Sequence, residues 1–478
     1  MKKILKMLTL AVAAFSLGTF AQKADAASEP HYVITTDGTY PPFDFANQDN
    51  QYVGIDQDIL KAIAKAEGFT YTLKPMSFNA ATQSVSSDQA DGVIAGMSIT
   101  PERKAVFDFG TPYYRSGIAW AVAKGSKIKS LEDLRGKTVA IKTGTSGADY
   151  ALSIQKKYGF KVTYFNDSET LYRDVINGNS VATFGDLPVL LYSIKNGTEL
   201  KVMNAKNPYQ AGEYGFAVKK GSNAALLAAF NRGFAKIKAD GTYQKIIDKY
   251  LNASASEFTG NQNSTWNILK ANRAAFLDGL KETIILTVIG IILAGLWGLI
   301  LGVMGVSQWR LFRWISSTII YTFRGLPMMV LAFFIYIGLP GVIGAKIPAL
   351  IAGIVTLVLN EGAYIGAFVR GGFESVDYGQ MEAARSLGLS HNKAMRKVIM
   401  PQGIKLVIPS FVNQLIITLK DTSILSAIGI VELTQTGTLI VSRNSQGFRV
   451  WALVAMVYLI VITVLTWFSN WIGKRTQA

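Results

Sequence analysis

Residues 283–306 read TIILTVIGIILAGLWGLILGVMGV, and residues 254–265, shortly before them, read SASEFTGNQNST. The first stretch carries no charge and exceeds the roughly 20 residues that an α-helix needs to cross about 30 Å of hydrocarbon. The second is rich in Ser, Thr, Asn and Gln, holds almost nothing to bury, and reads as a linker with a reach of about 20 Å. The chain therefore changes solvent at this point. The residues downstream belong in a membrane, and those upstream must be read by different rules.

Downstream, four more apolar stretches lie at 315–339, 348–369, 404–430 and 451–471. With 283–306 they predict five spans, the second interrupted by Arg324-Gly325-Leu326-Pro327. Five crossings place the two ends of this region on opposite sides. The loops expected inside hold Arg310, Arg313, Arg370, Arg385, Lys393, Arg396, Lys397, Lys405, Lys474 and Arg475, whereas those expected outside hold Lys346, Arg443 and Arg449. This is the positive-inside asymmetry and predicts a cytoplasmic C-terminus. It also disposes of nucleic acid as the reason for the net charge of +16. Residues 1–26 and 27–265 each carry +3, while 266–478 carry 18 basic and eight acidic side chains, a balance of +10. The excess sits in the most apolar part, beside membrane helices rather than on a DNA-binding face.

Upstream of the linker, residues 30–250 alternate short apolar runs (32–34, 92–95, 138–141) with amphipathic stretches such as 58–68 and 224–238, which predicts an α/β domain. The N-terminus has Lys2, Lys3 and Lys6, a 13-residue apolar run over 8–20, and Ala24-Asp25-Ala26. That pattern is an export signal over 1–26, cleaved or kept as a short anchor. There is no cysteine and there are only two histidines, His31 and His391. Disulfides, thiol nucleophiles, cysteine lipid anchors and histidine-rich metal sites are thereby excluded, and no metal site is expected.

Four stretches of the exported half stand out: Thr36-Asp37-Gly38-Thr39-Tyr40-Pro41-Pro42-Phe43, Ala95-Gly96-Met97-Ser98-Ile99-Thr100-Pro101-Glu102-Arg103, Phe107-Asp108-Phe109 with Pro112-Tyr113-Tyr114, and Lys142-Thr143-Gly144-Thr145-Ser146-Gly147. Together they resemble the bacterial periplasmic-type binding proteins for polar amino acids over nearly all of 30–250. The resemblance implies two lobes, the first about 30–114 and 214–250, the second about 118–210, closing on an amino acid. It implies Arg103 for the ligand carboxylate, helped by Gly96 and Ser98, because a guanidinium fork fits a planar carboxylate. It implies Asp186, in Gly185-Asp186-Leu187-Pro188, for the ammonium, with Asp37 as a second acidic position. Tyr40 and Phe78 would wall the ligand, Lys142 would face its side-chain end, and Ser146 would add backbone and hydroxyl contacts. Taken alone, Arg103 reads as a first-turn helix residue, Tyr40 and Phe78 as core aromatics and Lys142 as a solvated lysine. Gly185 stands where some members have His, which leaves the side-chain specificity open. Gly136-Lys137-Thr138 is a decoy, because position 131 is Leu rather than the Gly a phosphate-binding loop needs.

In the membrane half, Glu382-Ala383-Ala384-Arg385-Ser386-Leu387-Gly388 and Ile399-Met400-Pro401 lie between the third and fourth predicted spans. With Phe323-Arg324-Gly325-Leu326-Pro327, Gly362-Ala363-Tyr364, Arg370-Gly371-Gly372 and Lys420-Asp421-Thr422-Ser423, they resemble ABC importer permeases for polar amino acids over about 270–475. Some members have Glu where this chain has Ala367. The resemblance implies that Glu382, Ala383, Ala384, Gly388 and Pro401 belong to a loop that docks a cytoplasmic ATPase. Small residues would allow close approach, and Gly388 and Pro401 would punctuate the helices. Glu361, Lys420 and Asp421 are ionisable groups in or near spans and face a pathway or serve packing.

The expected whole is a bilobed α/β periplasmic-binding-protein-like domain (27–252), a linker (253–265) and an all-α five-helix transmembrane ABC permease (266–478). It resembles fused importers of Gram-positive bacteria. No Walker A sequence occurs in the chain, so no cofactor is expected in it. ATP-Mg would be used by an ABC ATPase present in two copies, beside a second permease chain, most simply a homodimer. The remaining partners are membrane lipid and a polar amino acid, glutamine first, with glutamate, asparagine and basic amino acids open. A ligand-gated channel is disfavoured because both lobes are complete before the first span and no Thr-Val-Gly-Tyr-Gly-like filter occurs. A sensor would need a cytoplasmic signalling domain, and only about seven residues come after the last span.

Overall fold

The computed structural model describes residues 29–47, 49, 51–252, 264–444 and 446–477. The expected export signal (1–26), and the expected linker (253–265) apart from its last two residues, lie outside them.

Residues before the linker build two large sheets and a small three-stranded one, Thr39–Tyr40, Asp44–Ala46 and Tyr52–Val53. The first runs in the order Thr70–Pro75, His31–Thr36, Gly92–Val93, Ala217–Lys219, Phe107–Phe109. Its first three strands are parallel, and Ala217–Lys219 is antiparallel to its neighbours. The second runs Lys161–Phe165, Thr138–Lys142, Ala182–Asp186, Tyr114–Ala123, Leu200–Val202. Its first three strands are parallel to one another and the rest antiparallel. Each parallel pair is joined through a helix, as parallel strands require. Helix Ile55–Glu67 shows why: Ile55, Ile59, Leu60 and Ile63 fall on one buried face, and Gly68 closes the helix in a left-handed turn.

The chain crosses between the sheets twice. Tyr114–Ala123 leaves the first lobe and Tyr209–Tyr214 returns to it, and the two pair antiparallel, Tyr214 opposite Tyr114. Each lobe has its own core. One is built on Ile34, Phe43, Ile59, Phe216 and Phe230, the other on Trp120, Val139, Ile141, Phe160 and Phe184.

Among the described residues, the membrane half contains four helices long and apolar enough to cross a bilayer, Arg273–Gly305, Ala349–Glu374, His391–Ile428 and Gly447–Trp467. A fifth candidate is the pair Arg310–Gly325 and Met328–Ile343, bent by 102°. The bend falls at the Leu326-Pro327 interruption: a residue before proline is pushed out of the helical region, and Leu326 is extended at ψ 131°. The five-helix expectation thus becomes four unbroken candidates and one broken pair. Two features depart from the sequence reading. The first helix starts ten residues before the predicted span, because the polar turns around Asp278, Lys281 and Glu282 continue it. A separate helix, Leu433–Asn444, fills a stretch expected to be an outside loop.

Candidate functional site

Binding sites in open α/β sheets form beyond the C-terminal ends of parallel strands, and the predicted ligand residues cluster there. Asp37 comes directly after the strand His31–Thr36, while Lys142 and Asp186 close Thr138–Lys142 and Ala182–Asp186. Asp37, Tyr40, Phe78, Gly96, Ser98, Arg103, Lys142, Ser146 and Asp186 all line one cavity between the lobes. Ala95 and Thr145 complete it and escape sequence reasoning; both are small neighbours of predicted residues and carry no signal of their own.

Local chemistry sets each position. Thr100 caps the short helix Pro101–Lys104, its side chain accepting from the backbone N of Arg103, which fixes Arg103 in the first turn. The Arg103 guanidinium donates from Nη1 to the Ser98 carbonyl at 2.7 Å and from Nη2 to the Gly144 carbonyl at 2.8 Å. It also lies 5.2 Å from the Phe78 ring centre. One arginine thus ties a loop of each lobe and keeps three N–H groups for another acceptor. Burial pulls its pKa down and the nearby Asp149 and Asp186 oppose this. Gly96 is at φ +56°, and a Cβ there would meet Tyr40 at 2.8 Å, so only glycine fits.

Across the cleft, Lys142 Nζ sits 2.5 Å from Asp37 Oδ2, both side chains buried, and 5.0 Å from the Tyr40 ring centre. The Tyr40 hydroxyl donates to Asp186. Desolvation raises the Asp186 pKa, against the hydrogen bonds of Tyr40 and Tyr214 and the charges of Arg103 and Lys142. These cross-lobe bonds leave about 10 Å³ free, room for about one water. A ligand would have to enter as the lobes part, exchanging these bonds for its own. Ser146, at the N-terminus of helix Ser146–Tyr158, has a hydroxyl without a partner among the described residues. A helix N-terminus favours an anion such as a carboxylate. One expectation changes: the Gly96 N–H donates to Asp56 Oδ2 at 2.6 Å, so Gly96 has only its carbonyl to offer a ligand. A roomier cavity of about 480 Å³ lies beside the crossing strands, walled by Tyr114, Leu187, Pro188, Leu191 and Leu251, but its lining is mainly apolar and suits a zwitterion poorly.

Beneath the site, Asp44 is buried and accepts from Thr36 and from the backbone N of Gly38. Burial pushes its pKa up from 3.8 to about 7, with Asp37 adding to the rise and Thr36, Gly38 and Gln57 opposing it. Folding thus favours the neutral form. The contribution of Asp44 to stability is complete below its ordinary range and is lost as pH climbs toward about 7. Asp44→Asn should shrink the stability difference of the binding domain between pH 5 and pH 8 by up to about 2 kcal/mol, read by denaturant unfolding at the two pH values. An unchanged difference would clear Asp44 of this role.

Of the other predicted set, Glu382, Ala383, Ala384 and Gly388 lie on the segment after Ala349–Glu374, while Pro401 falls inside the helix His391–Ile428 instead of ending it, since its missing N–H is tolerated where a new helical turn begins. Helix Tyr378–Ser386 carries Glu382 and Ala383 exposed, and Gly388 and Pro401 are exposed as well. Ala384 is buried, so its small side chain serves the packing of the loop itself.

Comparison with known proteins matches both halves. Residues 32–253 match the bacterial extracellular solute-binding proteins, family 3, and residues 285–478 match the binding-protein-dependent transport system inner membrane component. The ABC transporter arginine-binding protein 1 of Escherichia coli (strain K12) is 35% identical over 244 residues, 50% of this chain and 98% of that protein. The glutamine transport system permease protein of the same organism is 34% identical over 217 residues, 44% of this chain and 97% of that protein. Among solved structures, the substrate-binding domain 2 of Lactococcus lactis GlnP in open conformation is 43% identical, covers 48% of this chain and 100% of that one, and has a TM-score of 0.36. Each relative accounts for about half of the chain, and the halves do not overlap. The chain belongs to the amino-acid ABC transporters, as a family 3 extracellular solute-binding domain fused ahead of a binding-protein-dependent permease domain.

Proposed function

We propose that this chain binds and admits a polar amino acid in an ATP-driven importer, and that glutamine is the ligand its cleft fits best. The observation that carries this is the buried Lys142–Asp37 pair, in the same cavity as Arg103 and Asp186. Arg103 and Asp186 supply a fork for an α-carboxylate and an acceptor for an α-ammonium. The remaining pair offers one cationic donor and one anionic acceptor. A side-chain amide presents a carbonyl to the first and an NH₂ to the second. A glutamate carboxylate would satisfy Lys142 and be repelled by Asp37; a guanidinium would do the reverse. Relatives named for arginine and for L-cystine match the binding half, and relatives named for glutamine and for arginine match the permease half, so names alone do not choose.

The permease reading continues the same way. The chain has no Walker A sequence, which supports a separate ABC ATPase using ATP-Mg. One docking loop per chain supports a homodimer with two ATPase copies. Five crossings, counting the bent pair as one, support a cytoplasmic C-terminus. Lys346, on the predicted outside, meets Asp91 of the binding domain, which fits this orientation. The loop bearing Glu382, Ala383 and Gly388, with Pro401 in the helix that comes after it, would dock the ATPase. Fusion holds the binding domain beside the pore at an effective concentration of roughly millimolar.

The test is calorimetric titration of segment 27–255 with glutamine, glutamate, asparagine, arginine and cystine. Glutamine is expected to bind at least about tenfold more tightly than glutamate or arginine, a gap of about 1.4 kcal/mol. Tighter binding of arginine or cystine would overturn the substrate while leaving the transporter assignment standing. Lys142→Met should cost glutamine about tenfold and relieve the penalty on arginine, because it leaves Asp37 unpaired.

A further inference from the structure

Three permease segments meet the first lobe of the binding domain. Lys346 Nζ lies 2.7 Å from Asp91 Oδ1, and the backbone N of Ile347 donates to Gln89 Oε1 at 3.0 Å. Gly429, in the turn that ends the helix His391–Ile428, sits against Met76 and the Pro75 carbonyl. Helix Leu433–Asn444 packs on the strands Thr39–Tyr40 and Asp44–Ala46. Its Leu439 is fully buried, with a methyl 3.3 Å from where a side chain on Gly38 would begin. Between the cleft mouth and the permease lies a space of about 330 Å³, walled by Asp37, Ser77 and Asn166 of the binding domain and by Met329, Phe333 and Gln435 of the permease.

Gly38 stands between Asp37, which bonds Lys142 across the cleft, and Tyr40, which bonds Asp186 across it. Asp37 and Tyr40 make those bonds only when the lobes are drawn together, while the loop itself stays on the first lobe through the Gly38 N–H to Asp44 and the pairing of Thr39–Tyr40 with Asp44–Ala46. Its outer side is occupied by Leu439, and close-packed apolar contacts transmit displacement because they have little free volume. We propose that Leu439 is a coupling residue: through it, permease helix Leu433–Asn444 reads the position of loop 37–40 in the cleft of its own chain, while Lys346 and Ile347 hold the lobe in register. The proposal rests on the amino-acid reading of the cleft only for the identity of the ligand. Coupling of this kind is reciprocal, so loss of the contact must also weaken ligand binding in the full chain.

The absence of cysteine makes the docking directly measurable. In the full chain in lipid nanodiscs, Asp91→Cys with Lys346→Cys should be bridged by a short bis-maleimide within single chains, seen as a mobility change of the monomer on a denaturing gel. Leu439→Ala in that background should lower the bridged fraction about threefold or more, and Leu439→Met, which keeps the bulk, should restore it. Without the cysteines, Leu439→Ala should weaken binding of the amino acid preferred by the parent chain by about fivefold. Bridging that is absent, or that joins only separate chains, overturns docking within one chain. A bridged fraction or an affinity untouched by Leu439→Ala overturns the coupling role. If the parent chain binds none of the amino acids offered, the substrate reading falls, and the bridging result still decides the docking.

Discussion

Arg103→Ala should abolish amino-acid binding, weakening it by at least about 100-fold, while the domain stays folded. A carboxylate held by a guanidinium fork makes two charge-assisted hydrogen bonds, each contributing about 1.5–3 kcal/mol. At about 1.4 kcal/mol per tenfold, the lower figure already reaches about 100-fold. Removing the fork also leaves the ligand carboxylate in a part of the cleft whose neighbouring donors are a helix N-terminus and the hydroxyls of Ser98 and Ser146. The fold should survive because Arg103 sits in a four-residue helix outside both cores, and its bonds go to loop carbonyls of Ser98 and Gly144. Arg103→Lys keeps the charge but loses the fork, and should fall between parent and alanine variant. Calorimetry gives the affinities and circular dichroism the fold. Undiminished binding by a folded Arg103→Ala domain would remove Arg103 from the site and with it the proposed orientation of the ligand.

Much of this site is legible in the sequence because chemistry and topology coincide. Lys142 follows the apolar run 138–141 and Arg103 a Thr-Pro helix start, which places both in the fold, but only the motif resemblance singles them and Asp186 out as ligand residues. Their pairings are not legible. Asp37 and Lys142 are 105 positions apart, and nothing in local spacing says that they meet across the cleft. Nor does the sequence show that Asp56 takes the Gly96 N–H, since a carboxylate on a helix face reads as solvated until the helix is packed. In the membrane half, long and largely apolar runs mark the unbroken helices, and Pro327 marks the bend. Helix Leu433–Asn444 escapes because its buried residues, Leu433, Leu439, Ile440 and Val441, are spread among Thr, Gln and Ser and never make a run long enough for a bilayer. Ala384 escapes for the opposite reason: a small residue looks the same whether it faces a partner or its own loop.

Gly388→Val should cut amino-acid uptake by the assembled transporter at least about tenfold without altering ligand affinity in the full chain. Gly388 is at φ +82° and its backbone N donates to the Arg385 carbonyl at 2.9 Å, closing helix Tyr378–Ser386 in a left-handed turn. The Leu389 N–H reaches back to the Ala384 carbonyl, which completes the cap. An L-residue in this conformation costs about 1–2 kcal/mol, more when β-branched. No atom lies within 4 Å of a Cβ built there, so the change disturbs the path of the loop rather than the packing of the spans. That loop presents Tyr378 and Leu387, 74% and 84% exposed, beside Glu382 and Ala383. Large apolar side chains so exposed mark a surface meant to be covered, and the partner proposed for it is the ATPase. Re-routing the end of the helix moves Leu387 off that surface while the binding cleft, in another domain, is untouched. Gly388→Asn supplies the contrast, since asparagine tolerates the left-handed region, and it should keep most of the uptake. Uptake measured in proteoliposomes with the ATPase, alongside ligand affinity of the same preparations, separates the possibilities. Equal uptake by parent and valine variant would deny the loop its coupling role, and equal losses in valine and asparagine variants would point to the added side chain itself rather than to the backbone turn.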